Sequence, residues 1–440
     1  MAAARRADNR RFWDEKIETF ARPALERLQL DRLRTTVARV QRHAPFYREQ
    51  LTARGLRPRD IRTLRDLRSL PFTTREDLRA TYPYGLLAVP RERALRLHTS
   101  SGTTGKPKAI FFSARDVDSA ADLAARCFVM TGATPADVFQ NMMTYGLFTG
   151  ALVMHYGAEK VGMMVIPAGP GNTDRQLLLM QDFGTTLVHL TPSFALYLAD
   201  VLEKKGIDAR RDLHLRKAYV GAEPYTDETR HKIEAALGVF VYNSYGLSEM
   251  NGPGVAFDCP QRSGMHLWED HFLMEVVDPQ TGEPVDDGEH GELVLTTLVR
   301  EAMPILRYRT RDITRILRGR CRCGRTHRRI ERITGRADDM FIVRGVNVYP
   351  QQIERVLMGV PALGRNYQIL LEALDELTVK VELSPQSFDG RLDHLVHLEK
   401  QLVESLRAEI VVRPKVELLP PGALPVSEGK ALRVVDRRKL

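Results

Sequence analysis

Cysteine is scarce in this chain, which has 4 cysteines in 440 residues. So few cysteines cannot build the disulfide framework of a small secreted protein. Long apolar stretches are also missing, since no run of about 18 apolar residues occurs, and we expect no membrane-spanning helix. The amino-terminal segment is polar and arginine-rich, without the apolar core of a secretory leader. Together these absences favour a cytoplasmic protein.

A concentrated basic stripe is lacking as well. Lysine and arginine number 65 against 56 acidic residues, a formal net charge of +9, but they are spread along the whole chain. A nucleic-acid-binding surface needs such residues clustered, so we expect no nucleic-acid partner. A dispersed basic excess suits small polyanions such as nucleotides. The chain has no internal repeat, and its length is sufficient for two or three domains.

Strand-like and helix-like segments alternate along the first part of the chain. The patterns predict helices over Asp116–Met130 and Asp227–Leu237, and strands over Val138–Met142, Lys217–Val220 and Val239–Ser244. This alternation is typical of an α/β protein, in which ligands bind at the carboxyl ends of strands. Glycine-rich and polar motifs follow these predicted strands, and we expect the functional site there.

The pattern changes twice further along the chain. Residues 265–330 are β-rich, and the polar stretch around Asp338 precedes a new unit with its own strands and helices. We therefore predict an α/β fold with a large multi-sheet amino-terminal domain, 1–337, and a small α+β carboxy-terminal domain, 338–440. About a hundred residues is an ordinary size for such a second domain.

The most informative stretch is His98–Ile110, which reads H-T-S-S-G-T-T-G-K-P-K-A-I. Glycines let backbone N–H groups crowd an anion, hydroxyl groups add donors, and lysines add positive charge. The Walker spacing G-x-x-x-x-G-K-[ST] is absent. We predict a phosphate-binding loop between strands, formed by Ser100, Ser101, Gly102, Thr103, Thr104, Gly105 and Lys108.

A second motif, Y-N-S-Y-G-L-S-E-M-N-G-P-G, spans Tyr242–Gly254. Here a predicted strand ends in an aromatic residue, a glycine turn, a hydroxyl group and a carboxylate. Tyr245 could stack on a base, and Glu249 could hold Mg²⁺ through its oxygens.

These motifs resemble those of the adenylate-forming superfamily of acyl-CoA synthetases, peptide-synthetase adenylation domains and luciferases. Within it the chain is most similar to phenylacetate–CoA ligases, a likeness that covers nearly its whole length. The segments that carry this resemblance are Y-G-L-F-T-G at 145–150, Y-G-L-S-E-M-N-G-P-G-V-A at 245–256, H-L-W-E-D-H-F at 266–272, D-G-E-H-G-E-L at 287–293 and R-G-V-N-V-Y-P at 344–350.

The resemblance implies the adenylate-forming fold, with the carboxy-terminal domain as a mobile lid. It implies an AMP-forming ligase that uses ATP, Mg²⁺ and coenzyme A, with Lys430 as the catalytic lysine and Glu249 as the magnesium ligand. Asp312 would bind the ribose, Arg336 the ribose and phosphate, and Gly345 would line the pantetheine tunnel. The other implied nucleotide-binding residues are Gly221, Ala222, Glu223, Pro224, Asn243, Ser244, Tyr245, Gly246 and Ser248.

The acid would lie beyond the α-phosphate, against Tyr145, Phe148, Ala222 and Pro253. Their apolar and aromatic character favours an aryl or arylacetic acid. Two alternatives stay open at this point: an adenylating enzyme with an amine, nitrite or carrier protein as acceptor, and a non-catalytic nucleotide-binding homologue. The physiological acid and the oligomeric state are also open, including a homodimer.

Three of the cysteines raise a separate possibility. Cys259, His266, Cys321 and Cys323 could form a structural Cys₃His zinc site, with His327 as a competing fourth ligand. The alternative is three reduced thiols without a metal. Cys127 lies in an apolar predicted helix and is expected to be a core residue.

Overall fold

The computed structural model describes residues 10–99, 107–373, 376–387, 392–425 and 432–438. Within them the α-helices, in chain order, are α1 Glu15–Glu18, α2 Arg22–His43, α3 Pro45–Ala53, α4 Arg75–Ala80, α5 Ala114–Met130, α6 Thr149–Val161, α7 Thr173–Asp182, α8 Pro192–Lys205, α9 Ala209–Asp212, α10 Asp227–Leu237, α11 Pro350–Met358 and α12 Leu392–Ile410.

The strands of the same residues are β1 Arg96–Thr99, β2 Ala109–Phe112, β3 Val138–Asn141, β4 Met164–Ile166, β5 Leu187–Leu190, β6 Lys217–Gly221, β7 Phe240–Leu247, β8 Gly252–Asp258, β9 Met265–Leu267, β10 Phe272–Val277, β11 Gly291–Thr297, β12 Tyr308–Thr314, β13 Ile316–Leu317, β14 Arg329–Ile330, β15 Gly335–Arg336, β16 Phe341–Val343, β17 Val346–Val348, β18 Leu363–Ala373, β19 Glu376–Leu383, β20 Lys415–Leu419 and β21 Val434–Asp436. None of the described helices is long and apolar enough to cross a membrane.

The chain forms two compact units, of which the first comprises Met1–Gly169, Thr186–His189 and Tyr242–Arg332. In this unit β3 pairs in parallel with β4 and β5. An antiparallel series runs in the order β13, β14, β9, β8 and β7. A separate antiparallel sheet contains β10, β11 and β12, and β1 pairs with β2 as a hairpin on either side of the predicted phosphate loop.

Helices α5 and α6 pack closely together in this unit. Helix α5 begins after Ser113, whose hydroxyl accepts a hydrogen bond from the backbone N–H of Asp116 in a capping box. Gly157 of α6 lies against Ala124 of α5, and a Cβ on Gly157 would approach the Cβ of Ala124 to 2.3 Å. Any larger residue at Gly157 would therefore push the two helices apart.

The Tyr242–Gly254 motif departs from its prediction. We expected a strand ending at Ser244 and a glycine turn after it, but β7 continues to Leu247 and β8 returns antiparallel from Gly252. The register shifts between Tyr245 and Gly246, which is opposite Pro253. A Cβ on Gly246 would lie 1.9 Å from the carbonyl oxygen of Gly252, so this glycine permits the close pairing of the two strands rather than a turn.

The second unit comprises Pro170–Thr185, Leu190–Val241 and Ile333–Leu440. Its carboxy-terminal part contains a mixed sheet in the order β20, β19, β18 and β21, and α11 and α12 share its hydrophobic core. Strands β16 and β17 form a hairpin whose turn residues, Arg344 and Gly345, have φ values of 51° and 74°. Two residues with positive φ are typical of a type I′ turn. The predicted division into domains 1–337 and 338–440 stays a prediction.

Candidate active site

A buried carboxylate forms the polar centre of the first unit. Glu249 lies in a short 3₁₀ turn directly after β7, and only 4% of its surface is exposed. Its Oε1 atom accepts a short hydrogen bond from the ammonium of Lys108, the residue that precedes β2. The Tyr308 hydroxyl, at the start of β12, donates to the same oxygen over 2.8 Å.

The electrostatics of this cluster keep the carboxyl group ionised. Burial alone would raise the pKa of Glu249, but the adjacent Lys108 ammonium and the hydrogen bond from Tyr308 outweigh it, so the pKa is lowered. The cluster therefore presents an ionised carboxylate, paired with the lysine side chain, beside the strand that follows the predicted phosphate loop. Such a pair can exchange partners with a metal ion and with phosphate oxygens.

A second polar pair joins two of the predicted nucleotide-binding residues. The hydroxyl of Tyr245 in β7 donates to Oδ2 of Asp312 in β12 over 2.7 Å. The two motifs are 67 residues apart in sequence, yet the structure brings them into contact. Nearby in β7, the backbone N–H of Asn243 donates to Asp258 over 2.9 Å, and the Ser244 hydroxyl is buried without a hydrogen-bond partner in the described chain.

The predicted acid-pocket residues of the first unit are Tyr145, Phe148 and Pro253. Tyr145 is half-buried, and Phe148, which immediately precedes α6, is 39% exposed. Pro253 is in β8, and the first turn of α6 packs on the residue before it: a Cβ on Gly252 would lie 2.7 Å from the Thr149 methyl group. Phe148 and Pro253 thus adjoin elements that pack on one another, and Tyr145 lies in the segment that leads into α6.

Ser248 lies in the 3₁₀ turn with Glu249 in the first unit, and the predicted residues of the second unit include Gly221, Ala222, Glu223, Pro224, Arg336 and Gly345. Ala222 follows β6 with φ of 67°, a left-handed conformation that is uncommon for alanine and is often found at functional sites. The carboxylate of Glu223 accepts hydrogen bonds from the hydroxyl and the backbone N–H of Ser193. Arg336 forms a bidentate ion pair with Asp338 at 2.9 and 3.1 Å.

Part of the predicted site lies outside the described residues. These residues are Ser100, Ser101, Gly102, Thr103, Thr104 and Gly105 of the phosphate loop and Lys430 near the end of the chain.

A cluster of metal-ligating side chains lies elsewhere in the first unit. Cys259, His266, Cys321 and Cys323 are all buried, and their ligand atoms lie within 4.8 Å of one another. The Sγ atoms of Cys259 and Cys321 are 3.6 Å apart, and Sγ of Cys323 is 3.2 Å from Nε2 of His266. The pKa of Cys323 is lowered to about 2, because hydrogen bonds from the Cys259 thiol and His266 stabilise its thiolate.

His327 is excluded as a competing ligand by its own hydrogen bonds. Its Nδ1 accepts from the backbone N–H of Glu269 over 2.9 Å, and its Nε2 donates to the Ile17 carbonyl over 3.1 Å. Both ring nitrogens are therefore used within the protein. Cys127 is fully buried on α5, as expected for a core residue.

Comparison with known proteins adds to this geometry. Residues 48–298 match the AMP-binding enzyme family, and residues 345–438 match the AMP-binding enzyme C-terminal domain. A phenylacetate–coenzyme A ligase of Thermus thermophilus is 46% identical over 445 residues, covering 97% of this chain and 100% of the relative. One of Escherichia coli is 43% identical over 431 residues, covering 97% and 98%. The chain belongs to the phenylacetate–coenzyme A ligase family.

Solved structures agree with this membership. A 2-hydroxyisobutyryl-CoA ligase in the postadenylation state, in complex with an acyl adenylate, superposes with a TM-score of 0.92 at 28% identity. The match covers 98% of this chain and 93% of that chain. The predicted family and the predicted α/β fold with a carboxy-terminal domain are thus confirmed. Members of this family are AMP-forming acid–thiol ligases, which is the enzyme class that the sequence predicted.

Two side chains close to the Lys108–Glu249 pair were missed from the sequence. Tyr308 begins the segment Y-R-T-R-D, in which only Asp312 was assigned a role from the sequence, and no local signal shows that the Tyr308 hydroxyl reaches Glu249. Arg300 is 4% exposed, stacks on the Phe112 ring at 4.1 Å, and donates to Asn251 and to the Phe111 carbonyl. It therefore ties β2 to the turn that carries Glu249.

Proposed function

We propose that this protein activates an aryl or arylacetic acid in two steps. In the first, a carboxylate oxygen attacks the α-phosphorus of ATP, and pyrophosphate leaves, giving an acyl adenylate. In the second, the thiol of coenzyme A attacks the acyl carbon and loses its proton, and AMP leaves. The observation that carries the proposal is the buried Lys108–Glu249 pair beside the predicted phosphate loop, in a chain of the phenylacetate–coenzyme A ligase family.

The chemistry of the first step explains why charged groups are needed. A negative carboxylate must approach a polyphosphate, so the barrier is dominated by charge repulsion, and cations in fixed positions lower it. Lys430 would neutralise the entering carboxylate and the α-phosphate, and residues 100–105 with Lys108 would hold the outer phosphates. Magnesium would supply further positive charge to the phosphates.

Glu249 fits a magnesium ion by its chemistry. It is an ionised carboxylate with an oxygen already surrounded by donors, and hard oxygen ligands are those that magnesium prefers. Lys108, which pairs with the same oxygen, would then turn toward a phosphate. Tyr308 holds the carboxylate in one orientation throughout.

The nucleotide would be held by residues of the predicted motifs. Tyr245 would stack on the adenine and Asp312 would accept hydrogen bonds from the ribose, an exchange that releases the present Tyr245–Asp312 hydrogen bond. The residues proposed to complete the nucleotide site are Gly221, Ala222, Glu223, Pro224, Asn243, Ser244, Gly246, Ser248 and Arg336. Gly345, at the tip of the β16–β17 turn, would line the path of the pantetheine arm.

The acid pocket is proposed between Tyr145, Phe148, Ala222 and Pro253, and its aromatic walls suit a planar ring. We further propose that residues 338–440 act as a mobile lid on residues 1–337, rotating between the two steps. A cytoplasmic location suits a thiol-dependent enzyme with free cysteines.

We propose that the Cys₃His cluster holds a structural zinc ion. Two sulfur ligands that each lie about 2.3 Å from a tetrahedral zinc are about 3.8 Å apart. This is close to the observed distance of 3.6 Å between the Sγ atoms of Cys259 and Cys321. His266 donates its Nδ1–H to the His327 carbonyl over 3.0 Å, so its Nε2 faces the sulfurs, and a zinc ion would replace the hydrogen that Nε2 donates to Cys323. A backbone acceptor on the other nitrogen is the usual support of a zinc-bound histidine. Four protein ligands leave no open position, so the zinc would not be catalytic.

The experiment is an exchange of labelled pyrophosphate into ATP across a panel of aryl acids, followed by addition of coenzyme A. Exchange that depends on an aryl acid, with thioester formed after coenzyme A is added, supports the proposal. Exchange without a thioester would direct the search to an amine, nitrite or carrier protein as acceptor. Nucleotide binding without exchange with any acid would indicate a non-catalytic homologue.

A further inference from the structure

A chain of hydrogen bonds runs from the core of the first unit to its surface through Tyr145. Nδ1 of His189 lies 3.2 Å from Oδ1 of Asn141, whose Nδ2 lies 3.1 Å from the Tyr145 hydroxyl. That hydroxyl is 3.1 Å from Nδ1 of His155, and Nε2 of His155 is 3.1 Å from Oε1 of Glu159. The proposed function does not use His155 or Glu159.

The orientation of Asn141 is fixed by two backbone partners. Its Nδ2 donates to the carbonyl of Ala151 over 2.8 Å, and its Oδ1 accepts from the backbone N–H of Met143 over 3.3 Å. If the amide were reversed, its oxygen would face the Ala151 carbonyl oxygen, and its nitrogen would face the Met143 N–H group, so neither hydrogen bond could form. The second hydrogen of Nδ2 is therefore donated to the oxygen of Tyr145.

Glu159 fixes the tautomer of His155 in the same way. The carboxylate oxygen of Glu159 accepts a hydrogen bond from Nε2 of His155, so in this tautomer Nε2 carries the hydrogen and Nδ1 has the lone pair. The hydroxyl of Tyr145 consequently donates to Nδ1. Burial raises the pKa of Tyr145 to about 12, so its hydroxyl keeps its proton at neutral pH.

The direction of this chain determines what Tyr145 can offer a substrate. The Tyr145 hydroxyl donates its hydrogen to His155 and uses one oxygen lone pair to accept from Asn141. Its second lone pair is left to accept a hydrogen bond from a substrate. We propose that His155 and Glu159 are positioning residues that make Tyr145 an acceptor, so that the acid pocket favours ring substituents that donate hydrogen bonds. Hydroxy- or amino-substituted aryl acids would be favoured over acids with an acceptor in the ring. This inference rests on the proposed function, in which Tyr145 lines the acid pocket.

The test compares substrates whose ring carries a hydrogen-bond donor with substrates of nearly the same shape whose ring carries an acceptor. We would measure kcat/KM at pH 8 for phenylacetate, the three hydroxyphenylacetates and the three pyridylacetates, in which a ring nitrogen replaces a C–H group. The readout is the ratio of the best hydroxy isomer to the best pyridyl isomer. His155→Phe keeps a ring without an acceptor, and His155→Asn keeps an acceptor near the Nδ1 position.

We expect the ratio to fall about tenfold in His155→Phe, the value of about one hydrogen bond. His155→Asn should keep it within about threefold of the wild type. Glu159→Gln, at a side chain 53% exposed and so safe for folding, should lower the ratio in the same direction, because a glutamine can donate to Nε2 and permit the other tautomer.

Several results would overturn the inference. One is a ratio that stays constant in His155→Phe and Glu159→Gln while phenylacetate is still activated. Another is an equal loss of all substrates, which would show that His155 only supports the loop. If the wild type activated no aryl acid at all, the proposed function would fail first, and the two failures are thus distinguishable.

Discussion

The Lys108–Glu249 pair supports a prediction that separates stability from activity. The two side chains are 11% and 5% exposed, so removal of either one leaves the other charge buried without its partner. Breaking a buried pair costs about 3–5 kcal/mol, whereas replacing both charges with apolar groups is often close to neutral. We expect Lys108→Met and Glu249→Leu each to lower the free energy of unfolding by that amount.

The double variant Lys108→Met/Glu249→Leu should recover most of this loss, with a coupling energy of about 3 kcal/mol or more. Tyr308→Phe is the matched control, because it removes one hydrogen bond to a charged acceptor and should cost about 1.5–3 kcal/mol. Urea unfolding followed by tryptophan fluorescence measures all four variants. The pyrophosphate exchange rate should fall at least about 100-fold in both single variants and in the double variant.

The pH dependence gives an independent check with a defined sign. Glu249 has a lowered pKa in the folded protein, so its contribution to stability is complete above its unfolded pKa of about 4.3 and is lost as the pH falls through the folded value. Without Lys108 only the hydrogen bonds to the carboxylate, including that from Tyr308, oppose burial, so the folded pKa of Glu249 rises and a fall in pH should destabilise Lys108→Met less than the wild type. Additive losses in the double variant, or a double variant with normal exchange, would refute the argument.

Four further predictions concern other parts of the enzyme. Lys430→Ala should lose adenylation by about 10²–10³ or more but retain thioester formation from a synthetic acyl adenylate; normal adenylation would disprove its role. Phe148→Ala should raise KM for the aryl acid and leave that for ATP nearly unchanged, whereas equal effects would indicate packing only. Asp338→Pro should impair thioester formation more than pyrophosphate exchange, unless the hinge lies elsewhere. Elemental analysis of chelator-free protein should find about one zinc per chain, lost in Cys323→Ser; a stable metal-free wild type argues against the site.

Local signals predicted the helices well. Helix α10 has the predicted bounds Asp227–Leu237, and Thr226 caps its start while Gly238 ends it in the left-handed conformation. The Tyr242–Gly254 motif was assigned a turn because glycine usually marks one. Gly246 instead lies in a strand pair, where the 1.9 Å approach to the Gly252 carbonyl oxygen explains the glycine. That reason depends on the neighbouring strand and is not visible in the sequence around it.

Contacts between segments that are distant in sequence could not be predicted, for the same reason. Lys108 and Glu249 were each singled out by their motifs, but their pairing across 141 residues could not be predicted. His327 has the residue type and spacing of a zinc ligand, and only its hydrogen bonds to Ile17 and Glu269 exclude it. The sequence therefore singled out candidate site residues one by one, whereas the structure determines which of them share hydrogen bonds.

The choice of cation at each buried site is consistent with its role. Arg126 holds Asp270 with two parallel hydrogen bonds of 2.8 and 3.3 Å, a planar fork that keeps one geometry. Arg300, tied to backbone and amide oxygens, likewise fixes the strand behind the site. Glu249 is paired instead with Lys108, a point charge on a flexible stem that can rotate away without disrupting a fork. A lysine therefore suits a carboxylate that, in the proposed function, would give up its partner when magnesium and ATP bind.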